Sequence, residues 1–171
     1  ELIPDIMRLG EVEKVLQNLL EENVPINDLA TILETLADYG TVTKDTEVLT
    51  EYVRQGLRRT IANKYADEND RINVVTIHPK VEEMVSQSIQ KTATGSYPVM
   101  KPDSVNKILT AIGDISQQMA AQNMNYVILT SPKIRLAFRK LIAFNFPDVA
   151  VLSLNEIPNE IAIESIGNIE I

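Results

Sequence analysis

Four cations crowd one short stretch of an acidic chain: Lys133, Arg135, Arg139 and Lys140. On a helix they spread around the turns beside an apolar stripe of Ile134, Ala137, Phe138 and Leu141. Such a cluster reads in two ways. It is a solvated face whose aliphatic stems lie over the stripe, or it is a contact for an acidic protein partner. A second charged group, Glu47, Glu51, Arg54, Arg58 and Arg59, falls at spacings that pair across helix turns. Within it Glu51, Arg54 and Arg58 are the candidates for a binding patch. Nucleic acid fits neither group, because the net charge is −8 and an acidic surface repels phosphate. An anionic membrane surface is disfavoured for the same reason.

Other residue types that carry chemistry are sparse. His78 is the single histidine, and there is no cysteine. A metal site would have to combine His78 with carboxylates such as Glu82 or Glu83, and thiolate ligation, disulfides and cysteine nucleophiles are excluded. The simpler reading of His78 is a strand-end cap, although a helix starting at Pro79 lets Glu82 reach back toward it. Ser131 also follows a strand, where α/β folds place ligands. It lacks the G-x-S-x-G elbow, and Ser131-Pro132 reads as an N-cap followed by a first-turn proline. The glycines 10, 40, 56, 95, 113 and 167 form neither G-x-G-x-x-G nor G-x-x-x-x-G-K-[ST], so no phosphate cradle is spelled out. Asp67, Asn69 and Asp70 miss the spacing of a calcium loop. No cofactor or metal is expected.

The elements that position these residues change character along the chain. Leu9, Val12, Leu16, Leu19 and Leu20 mark a first helix face, ended by Asn23-Val24-Pro25. Asn27 or Asp28 caps a second helix with Leu29, Ile32, Leu33 and Leu36 as its buried stripe, closed by Gly40. Thr43 or Asp45 caps a third, with Val48, Leu49, Tyr52, Val53, Leu57 and Ile61 inward. Three amphipathic helices bury their stripes only by packing together. Residues 1–66 therefore read as a helical subdomain, and the polar run 67–71 as a linker about which the two parts reorient.

From residue 72 the period shortens. Ile72–Ile77, Tyr126–Thr130, Val149–Leu152 and Ile161–Ile166 read as strands, and Ser96–Met100 as a short edge strand because of Pro98. Helical stripes lie between them: Val81, Met84, Val85 and Ile89; then Pro102 to about Gln122; then a helix from Pro132. Strands alternating with helices predict a layered α/β subdomain, residues 72–171, with a largely parallel sheet. The class is mixed α/β. The hydrophobic share of 44% is enough for a real core, and no apolar run approaches the ~20 residues that span a bilayer. Residue 1 is glutamate, so the chain reads as part of a longer protein.

Four stretches carry a resemblance. Val15-Leu16-Gln17-Asn18-Leu19-Leu20 resembles the V-L-Q-N-L-L stretch of the FlhA family of flagellar export-gate proteins. Residues 32–39, Ile-Leu-Glu-Thr-Leu-Ala-Asp-Tyr, are similar to its I-x-E-x-L-A-[DE]-[YH] segment. Residues 49–57 resemble L-T-E-x-V-R-x-A-L, with Gly56 where alanine is usual. Residues 151–157 are similar to V-L-S-x-N-E. The resemblance implies a parent with an N-terminal membrane half and a cytoplasmic half of four subdomains, of which this chain matches the last two. It places the chain at the cytoplasmic face of the bacterial inner membrane, with the membrane reached only through absent N-terminal segments.

The implied function is non-catalytic docking and assembly in a type III protein-export apparatus. Cytoplasmic halves of the family form a ring of nine that receives export substrates and their chaperones and meets other export-apparatus proteins. The groove for chaperone complexes lies largely in the absent subdomains, so weak partner binding and a monomeric state are expected of this piece. The competing expectation is a small-ligand or enzymatic α/β domain, with its site at the strand ends His78, Ser131 and Ser153.

Overall fold

Helix starts in the first third are set by carboxylates. The computed structural model describes residues 1–171. Helix α1 spans Leu9–Glu21, α2 Leu29–Tyr39, α3 Thr46–Gly56 and α4 Arg58–Tyr65. Asp28 accepts from the Thr31 N–H at 3.2 Å. Asp45 accepts from the N–H groups of Glu47 and Val48. Each thereby satisfies orphan donors of a helix start. Asn23, at φ 59°, turns the chain out of α1. The stripe expected to run unbroken to Ile61 is interrupted at Gly56–Leu57, so α3 and α4 are separate helices. Helix α3 packs on both α1 and α2. Glycine suits its end: a methyl at Gly56 would stand 3.0 Å from the Thr35 hydroxyl of α2.

The core of this part is narrower than the apolar pattern. Val12, Val15, Leu19, Ile32, Leu36, Leu49 and Val53 are buried, as the spacing requires. Leu9, Leu20, Leu29 and Leu33 were expected in the same stripes, but they are 59%, 52%, 47% and 38% exposed. Val48 is exposed as well. The correction is geometric: a helix packed on one neighbour buries a narrow face, and apolar residues at its margins stay in water.

The chain divides into two compact units, Glu1–Lys64 and Tyr65–Ile171. The polar run 67–71 lies within the second unit and forms a closed turn. The Asp67 carboxylate accepts from the N–H groups of Asn69 and Arg71, at 2.8 and 3.0 Å. The Asp70 carbonyl accepts from Ala162 N–H at 2.9 Å.

Strand β1 spans Arg71–Ile77, followed by α5 (Pro79–Ser88), β2 (Ile89–Thr92), β3 (Gly95–Pro98) and α6 (Pro102–Ala121). Then come β4 (Val127–Thr130), α7 (Arg135–Ile142), β5 (Val151–Ser153), a 3-10 turn (Leu154–Glu156) and β6 (Ala162–Ile169). The main sheet has order β5-β4-β1-β6, and every pairing in it is parallel. Val75, Ile77, Ile128, Val151 and Ile169 share one core with α5, α6 and α7, whose Val81, Val85, Ile108, Ile112, Phe138 and Ile142 are buried there. One reading needed adjustment: Ile89 leaves the α5 stripe to open β2. The Pro98 strand is an edge strand as expected, pairing antiparallel with β2 in a separate two-stranded hairpin.

Candidate functional site

The carboxyl ends of β1, β4 and β5 are where such a sheet offers a ligand crevice. Here the chain's own side chains occupy them. At the end of β1, His78 caps α5, its Nδ1 accepting from the Lys80 N–H at 3.0 Å. Glu82, one turn into α5, does not turn back to His78. Its Oε1 accepts from the Ser131 N–H at 2.8 Å, just beyond β4. At the end of β5, Glu156 Oε1 accepts from the Ser153 N–H at 3.2 Å. Two backbone donors at strand ends are therefore already satisfied by carboxylates. An incoming phosphate would have to displace a like charge from each. No group of three or more His, Cys, Asp or Glu side chains is arranged to hold a metal.

Helix α7 carries three of the four cations of the basic cluster, Arg135, Arg139 and Lys140, and all three turn toward the protein; Lys133 lies in the turn before it. Arg135 is completely buried; its Nε stands 3.9 Å from Glu156 Oε2, itself 1% exposed. Its Nη1 also donates to the Val151 carbonyl at 2.9 Å. This arginine is neither a solvated face nor a partner contact, which corrects both sequence readings of it. Strand β5 needs a parallel neighbour on one side only, and the guanidinium supplies a donor that its backbone lacks.

Arg139 donates to the carbonyls of Val149 at 2.8 Å, Pro147 at 3.0 Å and Phe146 at 3.4 Å, holding the loop between α7 and β5. Lys140 donates to the Ser96 carbonyl at 2.6 Å and lies 4.2 Å from the Tyr97 ring centroid, tying the β2–β3 hairpin to α7. Lys133 is exposed. The helix ends beside Phe144, which is 92% exposed.

The second charged group splits in the same way. Arg54 is 2% exposed and faces Glu22 of the α1 end at 3.9 Å, so it too is a buried ion and not a surface patch. Half-buried Arg58 donates to the Gln55 carbonyl at 3.2 Å, and Glu51 is half-buried. The structure thus brings Arg135 to Glu156 and Arg54 to Glu22. The signal for Glu156 was present in the sequence as Ser153-x-x-Glu156, a capping-box spacing.

One exposed surface of the helical unit is apolar. On α2, Leu29 and Leu33 lie one turn apart, beside exposed Ala30, Glu34 and Asp38. The helix has no cation in its eleven residues.

Comparison with known proteins gives four findings. The model of the FHIPEP family matches residues 1–162. The flagellar biosynthesis protein FlhA of Bacillus subtilis (strain 168) is 37% identical over 171 residues, which is 100% of this chain and 25% of that protein. Among solved structures, nonameric SctV-C of EPEC matches with a TM-score of 0.85 and 37% identity, covering 96% of this chain and 49% of that one. The Chlamydia pneumoniae CdsV and CdsO complex contains a match with a TM-score of 0.85 and 36% identity, over 97% of this chain and 49% of that one. The chain spans 25% of the FlhA relative and about half of each solved chain.

Proposed function

Because the chain belongs to the FHIPEP family, we propose that it is a non-catalytic docking and assembly module within the cytoplasmic part of a type III (flagellar) protein-export gate. The observation that carries this reading is the match over 96% of the chain to one half of a subunit that assembles as a nonamer. In a ring built head to tail, each copy presents two different patches to its neighbours. We assign one patch to the helical unit, on the exposed leucines of α2, and leave the α/β unit as the body held rigid by Arg135, Arg139 and Lys140.

Recruitment of export substrates, their chaperones and other export-apparatus proteins belongs to the assembled ring. The relative solved together with CdsO supports that part of the reading. The non-catalytic assignment rests on the strand ends, where Glu82 and Glu156 hold the donors that a nucleotide or an oxyanion would use. In the parent the chain is expected at the inner-membrane cytoplasmic face.

The test is assembly of the parent's whole cytoplasmic portion, followed by light scattering. Leu29→Glu with Leu33→Glu should abolish ring formation while each chain stays folded by circular dichroism. A ring population equal to the unsubstituted protein's would overturn the assignment of α2. The isolated 171-residue chain should be monomeric in dilute solution, and a nonamer from it alone would sink that expectation.

A further inference from the structure

We propose that the outer edge of β6 is a strand-addition site for an extended, lysine- or arginine-bearing peptide segment. The main sheet has two edges, and they differ. Strand β5 is only three residues long and wholly buried. Strand β6 is eight residues long, and its first four, Ala162, Ile163, Glu164 and Ser165, are all exposed.

Ala162 N–H donates inward to the Asp70 carbonyl. In a parallel strand successive residues alternate sides, so the N–H and C=O of Ile163 and Ser165 point away from β1. Beyond them the register with β1 shifts, Ser165 pairing with Val74 and Gly167 with Val75, so Ile166 is an extra residue that ends the regular edge. Of the usual guards of an exposed edge, lysine and proline are absent from all eight residues, and those present are one charge, Glu164, and the bulge at Ile166.

Charge chooses the occupant. Around β6, residues 157–171 contain three acids (Glu160, Glu164 and Glu170) and no lysine, arginine or histidine. Arg71 of β1 reaches Glu164 at 3.8 Å and is the local cation. A second copy adding its own β6 would set this acidic segment against itself, and like charges across strands repel. A segment with cations and few acids meets no such repulsion. The added strand would gain backbone hydrogen bonds from Ile163 and Ser165 together with contact to the Ile163 side chain. This inference stands on the sheet alone, and its failure would leave the docking role of α2 untouched.

The experiment uses the 171-residue chain and a fluorescein-labelled synthetic peptide of alternating lysine and valine. Anisotropy should show binding, and hydrogen exchange at Ile163 and Ser165 should slow. Ser165→Pro removes one outward donor at an edge position that tolerates proline. It should weaken binding about tenfold, the equivalent of about 1.4 kcal/mol, with circular dichroism unchanged. If that variant does not fold, a backbone N-methylated version of the peptide decides on the unsubstituted chain, and it should not bind. A glutamate–valine peptide should also fail. The proposal falls if the lysine peptide does not bind, if the N-methylated form binds equally, or if the Ile163 and Ser165 amides stay unprotected. It also falls if the chain instead dimerises through β6.

Discussion

Each of the two units buries one arginine against one glutamate, and they do so to different depths. In the α/β unit both partners are sealed: Arg135 is 0% and Glu156 1% exposed, with the glutamate also capping the turn after β5. In the helical unit Arg54 is 2% exposed but Glu22 keeps 13% and stands at the C-cap of α1. The sealed pair belongs to a strand end, where backbone donors and acceptors run out and must be met by side chains. The half-open pair joins two helices whose backbones are already satisfied internally. A buried ion pair is worth more as a fixture of geometry than as a source of stability, so the first pair defines the β5 end while the second only staples two helices.

The largest effect expected from this contrast is at Arg135. Arg135→Met leaves Glu156 charged and buried, and should destabilise the α/β unit by about 3–5 kcal/mol in urea unfolding. Adding Glu156→Leu should restore much of that loss, because an apolar pair of similar volume carries no desolvation cost. Arg54→Met should cost less, about 1–2 kcal/mol, since Glu22 can turn to water. Equal losses at the two arginines would break the comparison.

A step smaller, Glu82→Ala should cost about 1 kcal/mol by removing the acceptor of the part-buried Ser131 N–H. Glu82→Gln should cost little, because its amide oxygen still accepts. Exchange of the Ser131 amide reads the difference directly. Asp45→Ala removes the cap of α3 and should cost about 1 kcal/mol. If the units unfold separately, exchange in β1 and β4 should not change with it; faster exchange there would show them coupled.

The smallest effect is a pH response at Asp28. Its side-chain hydrogen bond with Thr31, then the bond from the Thr31 backbone N–H, lowers its pKa below the usual aspartate value. A carboxyl held low when folded stabilises above its unfolded pKa and loses that contribution as pH falls through its folded pKa. Asp28→Asn keeps the cap but not the titration. It should therefore flatten the acid limb of the helical unit's stability slightly, and an unchanged limb would remove Asp28 from it.

Much of the architecture was legible in the residues. Asp28 and Asp45 cap helices because short acceptors fit N-terminal donors. His78-Pro79 starts α5 as a cap followed by a first-turn proline. The β-branched run at 72–77 and the apolar run at 127–130 are strands because their burial on both faces suits such side chains. The helical stripes named many of the buried residues and added Leu9, Leu20, Leu29, Leu33, Val48 and Met84, since periodicity gives the direction of a face but not how wide a neighbour covers it.

The candidate site was less legible. Local spacing allowed Glu82 to reach back toward His78 and spread the basic cluster over a solvated surface. Only the parallel register that brings β4 and β5 alongside could direct Glu82 to Ser131 and Arg135 to Val151 and Glu156. Periodicity and capping act over a few residues, so the sequence alone determines elements and their starts. Which charge is buried, which strand edge stays open and which leucines meet water depend on partners distant in the chain, and only the tertiary structure decides them.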